Sequence, residues 1–182
     1  ELGNKAELVA IPTTSGTGAE ITKHAILLDV ETDVKKAVAS SKLLPDVAIV
    51  DPNLTITCPA SVTASAGLDA FIHAAEPFVS KNANPLTDNI ALNAVSLITR
   101  WLAPAYADGN NLEARYNMAL GSVLAGLVLN NSGTSLVHAL SYPIGGEYHI
   151  PHGISLSILL TTCFDYIKAA RPKRFVRLAK AM

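Results

Sequence analysis

The chain has 182 residues, enough for one domain of ordinary size to bury a substantial core without a disulfide or a metal to hold it folded. Its 14 lysines and arginines nearly cancel 15 aspartates and glutamates, and with no basic block or aromatic-interleaved basic strip the composition argues against a nucleic-acid partner. Cys58 and Cys163 lie far apart, with no CxxC spacing and no signal-peptide pattern, which fits reduced thiols in a cytoplasmic protein.

Three short β-rich runs come first, "ELVAIPTT", "HAILLDV" and "DVAIVD", separated by Gly, Pro and charged turns. Helices dominate beyond residue 57, so the chain divides into 1–57 and 58–182 and its class is α+β, mostly α. Pro59 suits the first turn of a helix, Thr87 is the expected N-cap of "DNIALNAVSLITRWLA", and Asn110 or Asn111 that of "LEARYNMALGSVLAGLVL". The apolar part of this last segment, Met118 to Leu129, is shorter than the ~20 residues a membrane-spanning helix needs, so a buried helix is expected and no membrane partner. Helical spacing recurs in "ISLSILLTTCFDYI". The final "RPKRFVRLAKAM" reads as a helix cut off in mid pattern; with Glu1 in place of a starting Met, a piece of a longer protein is expected.

Within the apolar run "GLDAFIHAAE", Asp69 and His73 stand four positions apart, on one face of a helix and a single turn from each other. A buried carboxylate needs a positive partner, several hydrogen bonds or a cation. Two readings follow: half of a metal site, or an aspartate bonded to nearby backbone beside a satisfied core histidine. Downstream, "HALSYPIGGEYHIPHG" places His138 near the end of one expected helix and His152 at the start of the next, joined by a Gly and Pro turn. One carboxylate and three imidazoles make four ligands suited to Fe²⁺ or Zn²⁺. His149, in the turn, has a looser claim, with a solvated or supporting role standing beside direct ligation.

In order, "IPTTSGTGAEIT", "DPNLT", "GLDAFIHAAE" and "HALSYPIGGEYHIPHG" resemble the iron-containing (group III) alcohol dehydrogenases, NAD(P)-dependent enzymes with a dehydroquinate-synthase-like fold. The resemblance implies that Asp69, His73, His138 and His152 are the metal ligands, with iron or, in some relatives, zinc. It makes residues 1–57 the last strands of the dinucleotide-binding domain and 58–182 an incomplete helical metal-binding domain. Thr13, Thr14 and Thr17 of "TTSGTG" become positions that line NAD or NADP, and Lys35 the lysine that reaches it, with Lys36 an ordinary solvated charge. His24 borders the substrate end of the cleft or sits in an exposed loop.

Two departures from the family pattern stand out. Many members read HxxxH where this chain has His138 followed by Tyr142, so a phenol takes the place of a second histidine, as donor and acceptor or as a packing group. The glycine-rich GGGS-type loop that lies upstream in the family, and the helices expected after Met182, are missing. The implied activity is hydride transfer between a small alcohol or aldehyde and NAD(P) by a homo-oligomer. The alternative is a non-catalytic helical fragment that binds metal or self-associates through apolar surface.

Overall fold

A computed structural model describes residues 6–32 and 34–182; Glu1, on which one expectation rested, lies outside them. Among the described residues the strands are β1 (Val9–Ala10), β2 (His24–Asp29), β3 (Val34–Ala39) and β4 (Val47–Ala48). The α-helices are α1 (Ala60–Val79), α2 (Pro85–Ala107), α3 (Leu112–Ser132), α4 (Leu136–Glu147), α5 (His152–Lys168) and α6 (Pro172–Ala181). The architecture is thus the mostly helical one expected.

β1 pairs with β4 in parallel, Val9 opposite Val47, and β2 pairs with β3 antiparallel, His24 opposite Ala39. The three β-rich runs each supply a strand. β3 is an addition: "VKKAVA" has no apolar face of its own and becomes a strand because β2 offers it a hydrogen-bonding edge. Its period of two sends neighbouring lysines to opposite faces. Lys36 pairs with Asp29 at 2.6 Å in the open, whereas Lys35 is half-buried and turned toward the helices.

Helix starts follow their caps. Asn111 caps α3, its side chain accepting from Ala114 N at 3.0 Å, as expected. α2 begins earlier than expected. Asn84 is its N-cap and Thr87 the third residue of the helix, with Asn84 Oδ1 accepting from Thr87 N while Thr87 Oγ1 accepts from Asn84 N. Pro85 decides this, since its fixed φ and missing N–H suit the first helical position.

The connection before His152 also differs from expectation. α3 stops at Ser132, where Gly133 takes φ 67°, and the chain turns by 101° into α4. His138 therefore lies in the first turn of its own short helix, and Pro143, Gly145 and Gly146 fall inside that helix rather than in a turn. The real turn is Tyr148 to Pro151, with His149 exposed at a positive φ of 51°.

α1 is the centre of the molecule, with α2, α3, α5 and α6 packed around it. Every residue from Asp69 to Val79 is buried, so the second half of this helix is enclosed on all sides instead of along one stripe. Ile72 and Phe78 of α1, Val95 and Ile98 of α2, Met118 and Val128 of α3 and Leu156 of α5 fill the core. A polar residue on the second half of α1 must find its partners inside the protein. The loop bearing Thr13 to Thr17 is docked on α3 through Gly18, which has φ 61° and lies so close to Gly126 that a β-carbon would come within 2.8 Å of its Cα. No single helix among the described residues is long and apolar enough to cross a membrane.

Candidate metal centre

α1 presents Asp69, His73 and Glu76 along one buried face, the first turn of α4 brings His138 against it, and His152 opens α5 alongside. The three imidazoles converge on one oxygen. Asp69 Oδ1 lies 3.3 Å from His73 Nε2, 3.6 Å from His138 Nε2 and 3.8 Å from His152 Nε2. The His73 and His138 rings stack at 4.8 Å, and His152 meets His138 edge-on at 5.4 Å. The first three residues are buried, while the His152 side chain is 34% exposed and faces the cleft.

These separations are too long for strong hydrogen bonds. Asp69 Oδ1 and His138 Nε2 are both buried without a hydrogen-bond partner, a costly state for polar atoms. The reading in which each group is satisfied by its own neighbours does not describe this cluster. The spacings are those of donors arranged ~2.1 Å from a shared ion, and Asp69, His73 and His138 offer atoms within 4.8 Å of one another. A carboxylate oxygen with imidazole nitrogens is a donor set for Fe²⁺ or Zn²⁺.

Electrostatics within the cluster are sharply divided. Burial pulls His73 down to about 4, against the attraction of Asp69, so it is a neutral imidazole at neutral pH. Burial also disfavours charge on His138, but the neighbouring carboxylates of Asp69 and Glu76 prevail and raise it. Asp69 and Glu76 resist the upward pull of burial because the histidines around Asp69, and the donors around Glu76, hold both carboxyls below their usual range.

Glu76 was not singled out in the sequence, although it ends the same run as Asp69 and His73. It is 0% exposed, accepts hydrogen bonds from Ser135 N, Ser135 Oγ and Val137 N, and lies with Oε2 2.7 Å from His138 Nδ1. Its position three residues after His73 and seven after Asp69, on one helix face, is the signal that finds it.

Beside the cluster lies a cavity of about 480 Å³ that His24, Thr17 and Tyr142 help to line. It continues into a second space of about 300 Å³ bounded by Ile26, Leu28 and Lys35 of the β2–β3 hairpin. Of the threonines, Thr17 faces this cleft, Thr14 lines a separate small polar recess with Glu20 and Asp51, and Thr13 is exposed.

Residues 63–182 match the Fe-containing alcohol dehydrogenase family, C-terminal, and residues 1–52 match Iron-containing alcohol dehydrogenase. The chain belongs to the Fe-containing alcohol dehydrogenase family. It is 45% identical over 175 residues to the 1,3-propanediol dehydrogenase of Klebsiella pneumoniae, covering 96% of this chain and 45% of that protein. To the NAD-dependent methanol dehydrogenase of Bacillus methanolicus it is 41% identical, covering 96% and 46%. The solved structure of an alcohol dehydrogenase from Oenococcus oeni superposes with a TM-score of 0.95 at 41% identity, covering all of this chain and 48% of that one. The chain spans about half the length of the curated relatives it matches.

Tyr142, four residues after His138, is half-buried on the cavity wall with its ring 6.3 Å from that of His152 and nearly parallel to it. Burial, with the negative charges of Asp69 and Glu76, raises its hydroxyl above the ordinary value of 10.0, so it keeps its proton and can both donate and accept.

Proposed function

We propose that this chain carries the metal centre and part of the nucleotide cleft of an alcohol dehydrogenase. The reaction is transfer of a hydride from the carbinol carbon of a small alcohol to NAD, with loss of the hydroxyl proton, and its reverse on an aldehyde or ketone. The observation that carries this reading is the convergence of three imidazoles on the unpartnered Asp69 oxygen. Asp69, His73, His138 and His152 are the ligands, of Fe²⁺ by family and with a donor set that also accepts Zn²⁺. When bound, the ion supplies Lewis acidity toward the alcohol oxygen.

The chain's own residues then have separate tasks. Tyr142, protonated at neutral pH, exchanges hydrogen bonds with the substrate hydroxyl at the cavity wall. Lys35 and Thr17 flank the part of the cleft next to His152 and meet the nucleotide, with Thr13 and Thr14 further along the same loop. Ile26 and Leu28 keep water from the reacting atoms. Residues 1–57 belong to the nucleotide-binding domain and 58–182 to the metal-binding domain. NAD is favoured over NADP because the Bacillus methanolicus relative is NAD-dependent.

The test is elemental analysis of the purified chain, of Asp69→Ala and of His152→Ala, with alcohol-dependent reduction of NAD assayed alongside. Stoichiometric iron or zinc that falls in both variants is expected; equal metal in all three proteins removes the ligand assignment.

One observation favours a second reading. Val9, Ile11, Val47 and Ile49 around β1 and β4 are large apolar residues about half exposed. Such a surface favours association, including a homo-oligomer. Sedimentation over a concentration series tests this, and a monomer at every concentration excludes it.

A further inference from the structure

We propose that Glu76 is the positioning residue of the metal centre, fixing the ring tautomer of His138 and balancing the charge of the buried ion; this rests on the metal-centre reading above. The argument starts from the capacity of a carboxylate. Each oxygen has two acceptor positions. Glu76 Oε1 takes Val137 N at 2.6 Å and Ser135 Oγ at 3.0 Å, and Oε2 takes Ser135 N at 3.2 Å and His138 Nδ1 at 2.7 Å. All four positions are filled. Val137 N and Ser135 N can only donate, and with the Ser135 hydroxyl as a third donor the acid is satisfied as a carboxylate. His138 Nδ1 is therefore the fourth donor and carries hydrogen. Its Nε2 is left as a lone pair, buried, without a hydrogen-bond partner and aimed at Asp69. That is the form of imidazole a metal requires.

The arrangement does more than hold a ring. α4 begins without a side-chain cap of its own, and the unpaired N–H groups of its first turn are capped from α1 by Glu76. The carboxylate that caps the helix is the same one that orients its histidine, so the backbone of α4 and the ring of His138 are set by one group. Charge gives a second reason for an acid here. A dication held by Asp69 and three neutral imidazoles leaves one uncompensated positive charge in a buried place, and Glu76, itself fully buried one bond away, makes the cluster neutral.

Glu76→Gln separates these roles from simple packing. The glutamine carbonyl keeps the tightest donor, Val137 N, which places its NH₂ opposite Ser135 N and His138 Nδ1. His138 must then accept at Nδ1 and carry its proton on Nε2, the nitrogen a metal needs. Two measurements on the purified chain decide the matter: ring ¹⁵N NMR of the metal-free protein at about pH 9, above the imidazole range, and Zn²⁺ affinity by competition with a chromogenic chelator.

The expected result is a His138 ring protonated at Nδ1 in the unaltered chain and at Nε2 in Glu76→Gln, with Zn²⁺ affinity lowered about 10- to 100-fold in the variant. An unchanged tautomer with unchanged affinity in Glu76→Gln overturns the proposal, because a merely structural cap predicts that pattern. If the variant does not fold, the unaltered chain still decides: a metal-free ring protonated at Nε2 overturns it. Failure of the unaltered chain to take up Zn²⁺ or Fe²⁺ overturns the metal-centre reading instead, and the tautomer still reports on Glu76.

Discussion

Gly153 and Ser65 touch so closely where α5 crosses α1 that a β-carbon on Gly153 would fall 2.1 Å from the Ser65 carbonyl oxygen and 2.5 Å from its hydroxyl. Backbone meets backbone here, so no side chain can swing aside. Gly153 follows His152 directly, and the crossing sets how far α5 carries that ring toward Asp69. Gly153→Ala is expected to cost ~1–3 kcal/mol through overpacking and to reduce metal retention. Chemical denaturation and metal content check both, and a variant as stable as the parent would show the crossing to be looser than described.

Arg115 is 3% exposed and donates only to neutral acceptors: Thr63 Oγ1 at 2.8 Å, Gly109 O at 3.0 Å and Cys58 O at 3.2 Å. It ties the turn before α3 to the start of α1, the helix that bears the cluster. Arg115→Met fills similar space but leaves one buried and two partly buried acceptors short of a donor, an expected loss of ~1–3 kcal/mol. Thr63→Val, which removes one of the three, should lose less. Denaturation midpoints of the two variants rank them; the reverse order would refute this role.

α6 is held by charge as well as by Leu178. Arg174 donates to Phe78 O and to Asp88, and Arg177 approaches the other Asp88 oxygen at 3.5 Å. Asp88→Ala leaves both guanidinium groups without their acid. The expected outcome is faster amide hydrogen exchange across α6, with α1 protected as before. Uniform exchange in the two proteins would mean that apolar contact alone seats this helix.

Glu20 is buried beside Asp51, and burial raises its carboxyl above the ordinary 4.5 despite an opposing backbone hydrogen bond. A folded-state value above the unfolded one means that the native protein holds the proton more tightly. Stability is then complete below 4.5 and falls as pH rises from there through the folded value. Glu20→Gln should melt higher than the parent at neutral pH, and the gap should close as pH falls toward 4.5. Melting curves across that range test the sign; a gap that widens in acid contradicts it.

The sequence singled out all four members of the Asp69 cluster, but only half of their arrangement is local to one stretch of chain. Asp69 and His73 share one helix face by their spacing alone, and His152 opens a helix because Pro151 precedes it. The misplaced turn between His138 and His152 had a physical cause: Pro143, Gly145 and Gly146 read as helix breakers but fall inside α4. Lys35 and Lys36 are chemically the same residue type, and only pairing with β2 assigns them to opposite faces. The three threonines of one short loop part company for a similar reason, since the docking of Gly18 on α3 decides which of them faces the cleft.

Residue types and short-range periodicity determined the helical class, the ligand chemistry and the family pattern, because those depend on neighbours within a turn or two of chain. The tertiary structure alone decided that Glu76 meets Ser135, Val137 and His138, groups about 60 residues away. It also decided that three imidazoles share one oxygen. Such contacts arise from how α4 and α5 pack beside the buried second half of the central helix, and no spacing along the chain encodes that distance.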